Sequence, residues 1–332
     1  MPSSANTSSP VSRKFAWLAG AAVASGLLWT AGWYAFAAKV KTELPATLAQ
    51  LVGPAASAQC ISADVRGYPF RFGVFCETLS YENTAEGISA NAGAFRSAAQ
   101  VYRPQHAVAE VDGPLMFNTS GLSLRADWQV LKASARAATN GLERGSVEAR
   151  NISFDMDGAG LAGRFGLQAA KITAHARRNG ADLDLAAYAD DLRNDLVAGL
   201  TARTFVLEAT LTERSRLLEM PFVPLQGPFE AVLHRLAIAF DETSSLELTG
   251  PVRIDAGNRI SGDLELTISD LQQFTDRAEA FDPDIADLFR QFGPVVAALD
   301  TRPGDDAVSL PLTIKNNLVS LGFIPLGQLP AF

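Results

Sequence analysis

The sequence predicts a mainly β fold, a long antiparallel meander that curls into a groove or an open barrel or sandwich. Apolar and polar residues alternate with a period of two at residues 245–255 and 263–269, which is typical of strands with one buried face. Turn signals such as Asn179-Gly180 separate the runs at short intervals. Such short connections leave no room for crossover helices, so neighbouring strands should be antiparallel.

The number of strands predicts that the sheet cannot stay flat. Roughly fifteen strands are expected after Cys60, and twisted open sheets rarely exceed about ten strands without curling or splitting. Two or three helices are too few to cover every apolar strand face, so an apolar inner surface should remain for another molecule. The wall of this predicted groove is assigned to Phe205, Leu207, Leu246, Leu248, Leu264, Leu266 and Ile268. The alternative for these residues is ordinary core packing.

One helical insert is predicted near residues 270–300. Asp282 can cap a helix that begins with Pro283. Apolar residues then recur at helical spacing until Gly293-Pro294 stops the pattern. They are Ile285, Leu288, Phe289 and Phe292. This helix should cover an open edge or end of the sheet.

The N-terminal region predicts a membrane anchor. Residues 15–38 contain no charged side chain, and at about 1.5 Å per residue they are long enough to cross a hydrocarbon core of roughly 30 Å. The expected organisation is a cytoplasmic tail at 1–14, a transmembrane helix at 15–38, a stalk at 39–58 and an exported β-rich domain at 59–332. The alternative is a cleaved signal peptide, because Ala35-Phe36-Ala37 resembles a cleavage site.

The two cysteines also favour export. Residues 60–66 and 70–76 read as two strands around a turn at Gly67-Tyr68-Pro69, which would place Cys60 opposite Cys76. A disulfide there would persist only in an oxidising compartment. Two unconnected buried thiols are the alternative.

Charge and composition argue against several classes of partner. The first 41 residues hold four basic side chains and no acid, leaving 24 of the 28 basic residues against all 36 acidic ones. Nucleic-acid binding needs clustered Lys and Arg, so it is not expected. Residues 158–163 match G-x-G-x-x-G, but the alternating strand before them does not fit a dinucleotide site.

The chain shows no residue pattern for catalysis, metal binding or a cofactor. His106, His175 and His234 are isolated in the sequence. His234 shares an alternating face with Val232 and Leu236, which favours a core histidine over a ligand or a general base. Asp282, Asp284 and Asp287 could suggest calcium, but a helix cap and solvated acids explain them better. An enzyme is therefore the least favoured reading.

Several short sequence segments together resemble those of a known family. They are residues 67–71 with Phe75-Cys76, residues 101–106 running into 110–115, residues 126–128, and the closing segment 310–326. The chain resembles the alphaproteobacterial envelope family known as domain of unknown function 2125 over about residues 15–328. More distantly, an anchor followed by a long β-meander is similar to AsmA-like envelope proteins, whose curved sheets bind or conduct lipid. The resemblance implies no catalytic residue.

Two functions follow as hypotheses. The first is a non-catalytic, single-pass protein of the bacterial inner membrane, whose periplasmic β-domain binds or conducts lipid or another acyl-bearing envelope molecule. The second is an anchored scaffold or assembly factor that contacts envelope proteins. Neither hypothesis requires a cofactor, a metal ion, a nucleotide or a nucleic acid.

Overall fold

The described residues form a long N-terminal helix and one antiparallel sheet that carries short helical elements. The computed structural model describes residues 10–139, 141–158, 165–194, 201–219, 227–281, 286–287, 289–291, 300, 307–322 and 324–329. The helices are α1 (Pro10–Val52), a 3-10 helix (Ser215–Glu219) and α2 (Leu271–Phe281).

Twenty strands of the described part of the chain form the sheet. In chain order they are β1 (Ser57–Ile61), β2 (Asp64–Arg66), β3 (Arg71–Cys76), β4 (Thr78–Asn83), β5 (Ile88–Ala92), β6 (Phe95–Gln100), β7 (Arg103–Val111), β8 (Leu115–Asn118), β9 (Leu122–Asp127), β10 (Val130–Ala138), β11 (Gly141–Gly158), β12 (Phe165–Asn179), β13 (Asp182–Asn194), β14 (Thr201–Leu211), β15 (Phe229–Ala239), β16 (Ser245–Ile254), β17 (Ile260–Ser269), β18 (Ala307–Lys315), β19 (Leu318–Leu321) and β20 (Ile324–Gln328).

Helix α1 is unbroken over 43 residues and passes through Pro45. It is long and apolar enough to cross a membrane. It contains the predicted span at 15–38 and continues through residues 39–52 of the predicted stalk. Gly53 ends the helix with a positive φ of 77°, and its amide donates to the Ala49 carbonyl at 3.1 Å. This is the usual left-handed stop, which glycine adopts without steric cost.

The sheet is an antiparallel meander over one half and branches over the other. From β11 to β20, each strand pairs with the next one in chain order. The long strand β11 then pairs with β10 along its first half and with β9 along its second half. One branch continues as β10-β7-β6-β3-β2 and the other as β9-β8-β5-β4-β1. The predicted mainly antiparallel fold is confirmed, and the sheet is open rather than closed into a barrel.

The structure joins Cys60 and Cys76 by a disulfide, with a Cα–Cα separation of 5.1 Å. The predicted hairpin register was wrong, however. Ser62 has a left-handed φ of 56° and separates β1 from β2, so that Cys60 pairs with Leu79 of β4. The disulfide therefore joins the two branches near their ends, with one cysteine in β1 and the other in β3.

The helical insert begins earlier than the sequence pattern indicated. Asp270 precedes α2, and its carboxylate accepts a hydrogen bond from the Gln273 amide at 3.0 Å, which satisfies one free amide of the first turn. Asp282-Pro283, the predicted start, lies outside the described residues. Phe274 of α2 and Phe289 pack on a buried cluster that includes Leu310 and Leu321. The insert thus covers one end of the sheet.

The turn between β15 and β16 is tied to α2 by one carboxylate. Asp241 accepts hydrogen bonds from the Ser244 and Thr243 amides, both at 2.8 Å, and it forms an ion pair with Arg277 of α2. The backbone amides lower the pKa of Asp241 to about 2, with the Ser244 amide the largest cause. The charged form therefore favours the folded state.

Replacing both cysteines by serine should destabilise the β-domain. The bond closes a loop with a sequence separation of 16, and losing such a closure costs about 3 kcal/mol in the chain-entropy model. Thermal melting should show a lower melting temperature, and reduction of the unmodified protein should give a loss of similar size. Two alkylatable thiols in protein isolated without reductant would contradict the bond.

Asp241→Asn should lower the melting temperature at pH 7, because the amide side chain replaces a charged acceptor. The pKa of Asp241 is lower in the folded protein than in the unfolded chain. Its carboxylate therefore stabilises the fold at pH values above the unfolded-state pKa, and this stabilisation is lost as the pH falls toward about 2. The difference between the two proteins should therefore shrink below about pH 4. Glu242→Gln is the matched control, since its carboxylate is exposed and its ion-pair partner among the described residues is the exposed Arg203. An equal effect of both changes would contradict this role of Asp241.

Candidate functional site

One face of the sheet carries an uninterrupted row of apolar side chains across ten strands. Because directly paired residues in a sheet point to the same face, the pairing register of the strands defines this row. Its members, from β7 to β18, are Ala109, Ala133, Val147, Ala174, Ala187, Leu207, Leu236, Leu248, Leu266 and Leu310. At about 4.8 Å between strands the row is about 43 Å long. We call this side of the sheet the apolar face.

Two further rows lie on either side of the central row. One contains Leu131, Ala149, Ile172, Ala189, Phe205, Ile238, Leu246, Ile268 and Val308. The other contains Phe72, Ala99, Ala107, Ala135, Gly145, Ala176, Leu185, Ala209 and Leu233. The apolar face is therefore three residues wide without a charged side chain in these rows.

The seven residues predicted to line a groove all lie on this face. Leu264 pairs with Leu312 next to the central row, and the other six belong to the rows given above. Five of the seven lie on β16 and β17, where they form or contact the buried cluster under α2. For those five residues the structure shows core packing. Phe205 and Leu207 lie on β14, outside that cluster.

The middle of the apolar face is open among the described residues. Leu310, at the covered end of the central row, has no exposed surface, whereas Val147 on β11 is 43% exposed. Ala133 and Ala174 are also exposed. Alanine and glycine dominate the rows from β6 to β12, so this part of the surface is smooth and shallow. The sequence analysis missed these residues, although the alternation of alanine with polar residues at 133–137 and 174–176 was visible.

Helical elements cover the apolar face at its margins. At the C-terminal end lies α2. Along one side, Leu218 of the 3-10 helix packs with Leu183 and Leu211. At the N-terminal end, Trp33 of α1 stacks on Phe72 with ring centroids 5.2 Å apart. The row that starts at Phe72 therefore begins at the helix that could span the membrane.

The opposite face of the sheet is polar and rich in ion pairs. Arg235 pairs with Glu247 at 3.0 Å, and Arg177 pairs with Asp184 at 2.6 Å. The hydrogen bond from Arg177 is the main cause that lowers the pKa of Asp184. Tyr188 donates to Glu208 at 2.6 Å, and this bond raises the pKa of the tyrosine. The two faces thus differ sharply in chemistry.

An open concavity of about 570 Å³ lies on this polar face. Arg96, Glu110, Lys132 and Glu148 line it on successive strands and alternate in sign. Because opposite charges stand side by side, the concavity offers no net charge to an ionic ligand. We assign it no ligand.

The histidine prediction needs one correction. His234 lies in a bulge of β15, because Ala209 pairs with Leu233 whereas Glu208 pairs with Arg235. The extra residue reverses the alternation, so His234 leaves the apolar face and its Nε2 contacts the Thr210 hydroxyl at 2.9 Å. His175 contacts Ser146 at 2.9 Å on the same polar face.

The glycine motif at 158–163 lies between two antiparallel strands. Gly158 ends β11, Phe165 begins β12, and Phe165 pairs with Met156. Residues 159–163 lie outside the described residues. Within the part of the chain that the structure describes, no three His, Cys, Asp or Glu side chains are grouped so that they could hold a metal ion.

Comparison with known proteins identifies a family but no characterised relative. No curated protein and no solved structure matches the chain, so the similarity to AsmA-like proteins stays a prediction. A family model described as an uncharacterised protein conserved in bacteria, domain of unknown function 2125, matches residues 33–330. The match covers α1 from Trp33 onward and nearly all of the sheet, and the chain belongs to this family.

Proposed function

We propose that this protein is a non-catalytic, membrane-anchored lipid-binding protein whose apolar face holds acyl chains. The observation that carries the proposal is the continuity of the apolar rows. They run from Phe72, which α1 contacts, to the core beneath α2, and their middle section is open. An acyl-bearing envelope molecule could pass from the bilayer to this surface without crossing a charged barrier.

The chemistry of the open section fits a hydrocarbon chain. A buried methylene gains about 0.8 kcal/mol on leaving water, and the central row of about 43 Å is longer than one leaflet of a hydrocarbon core that is about 30 Å thick in total. Exposed apolar strips of this extent usually mark a binding surface. Short alanine side chains leave space above the sheet that longer side chains would fill.

Export of the β-domain is part of the proposal. Helix α1 provides one possible membrane span, and the Cys60–Cys76 disulfide supports an oxidising compartment. We place the helix in the bacterial inner membrane as a single-pass anchor and the sheet in the periplasm.

A reporter fusion tests this topology. Alkaline phosphatase becomes active only outside the cytoplasm. Fused after Phe332 in a bacterial host, it should therefore be active if the β-domain is periplasmic. Fusion to a protein with residues 10–38 deleted serves as the control and should be inactive. An inactive full-length fusion would contradict the periplasmic placement.

Lipid photo-crosslinking tests the apolar face directly. Ala133 lies on the central apolar row between Ala109 and Val147, whereas the next residue, Ser134, lies on the polar face between Val108 and Ser146. Ala133→Asp should sharply reduce crosslinking to a phospholipid with a photoreactive acyl chain, because a carboxylate in contact with hydrocarbon costs several kcal/mol. Ser134→Asp, the matched control, should leave crosslinking unchanged.

Crosslinks should be counted only on peptides from β10 to β14, since α1 and the strands next to it could react with any bilayer. Both variants should melt close to the unmodified protein, because neither position is buried. Equal crosslinking of the two variants, with folding intact, would contradict lipid binding on this face. That outcome would favour the anchored scaffold or assembly factor.

A further inference from the structure

The turn between β2 and β3 docks against α1 within its apolar segment. The Trp29 indole donates to the Pro69 carbonyl at 3.1 Å, and the Trp33 indole donates to the Arg71 carbonyl at 3.1 Å. The Thr30 hydroxyl lies 2.7 Å from the Tyr68 hydroxyl. Trp33 is only 4% exposed as a result. The contact is therefore specific, with three polar links and a stacked aromatic pair.

The neighbouring turn between β6 and β7 lies beside it. The Val101 amide donates to the Phe70 carbonyl at 3.0 Å. Phe70 and Tyr102 present large aromatic side chains that are 65% and 67% exposed. We call residues 67–71 with Val101 and Tyr102 the tip.

Four backbone carbonyls of the tip accept hydrogen bonds from the protein. The Gly67 carbonyl accepts from the Arg71 amide at 2.9 Å. The carbonyls of Pro69 and Arg71 accept from the two tryptophans, and that of Phe70 accepts from Val101. Proline also has no amide to satisfy. Non-helical backbone survives at membrane depth only where its polar groups are paired by protein, and these four carbonyls meet that condition.

The position of the tip along α1 places it at the bilayer surface. Residues 15–34 of α1 extend about 30 Å at 1.5 Å per residue, which matches the hydrocarbon core. Trp29 and Tyr34, which are 45% and 59% exposed, then belong to the aromatic belt that favours the lipid–water boundary. Since Trp29 lies five residues before Tyr34, the tip reaches about 7 Å below that boundary.

Two arginines lie where the tip meets the sheet. Arg71 and Arg103 both pair in register with Gln100, and both side chains are exposed. Neither forms an ion pair with the described residues. Lipid phosphates are natural partners for cations at this level of a membrane.

We propose that the tip inserts into the phospholipid bilayer beside α1 as a second membrane contact, with Phe70 and Tyr102 in the acyl region and Arg71 and Arg103 at the phosphates. This contact fixes the sheet so that Phe72, the first residue of an apolar row, lies at the membrane surface. The inference depends on α1 being inserted, but it does not depend on lipid binding by the rest of the apolar face.

An environment-sensitive fluorophore tests the insertion. Phe70→Cys, Tyr102→Cys, Leu27→Cys and Leu318→Cys are labelled singly with a nitrobenzoxadiazole group, without reductant so that the native disulfide stays closed. The full chain is reconstituted in phosphatidylglycerol–phosphatidylethanolamine vesicles. Leu27 reports insertion of α1, and Leu318, an exposed apolar residue on β19, reports an aqueous site. Melting curves confirm that each labelled protein is folded.

Labels at positions 70 and 102 should show blue-shifted emission, loss of intensity with nitroxide-labelled lipids, and protection from aqueous iodide, whereas the label at 318 should show none of these. If the label at position 27 is quenched by the lipids but the labels at 70 and 102 are in water, insertion of the tip is wrong and insertion of α1 still holds. An aqueous label at 27 would overturn both. Neither result depends on the crosslinking of the apolar face.

Discussion

The in-register pairing of the strands is the constraint on which the rest of this structure depends. Side chains alternate between the faces of a sheet with a period of two, so a slip of one residue would move a whole strand's apolar set to the other face. Across ten strands the register is kept so that an apolar residue meets an apolar residue in the central row. The result is one sheet with a hydrocarbon-like side and an ionic side.

Bulges preserve this division where the chain would otherwise break it. At His234 the extra residue of β15 restores the pairing of Leu233 with Ala209 on one side and of Leu236 with Leu207 on the other. Both leucines therefore stay on the apolar face. A polar residue on the apolar side would cost the desolvation of its side chain, so the displaced histidine instead finds Thr210 on the polar face.

Coverage of the apolar face is uneven, and this links the fold to the membrane. Large aliphatic and aromatic side chains fill the end beneath α2, where Ile268 and Leu310 have no exposed surface. Alanines occupy the middle, where no described element packs on them. At the other end α1 meets the sheet through Trp33 and Phe72. The open apolar strip therefore starts at the helix that is long and apolar enough to cross a membrane.

The sequence by itself determined the class of the fold, the apolar helix, the cysteine pair and the apolar character of the seven predicted groove residues, because these follow from local period, length and composition. Only the tertiary structure decided which strands are neighbours. It set Cys60 opposite Leu79, divided the sheet at β11, and moved His234 to the polar face. It also separated the five residues packed under α2 from the open alanine rows, and it docked the β2–β3 turn on α1. Such pairings join residues far apart in the chain. They are selected by the total of the tertiary contacts, which a local sequence pattern does not predict.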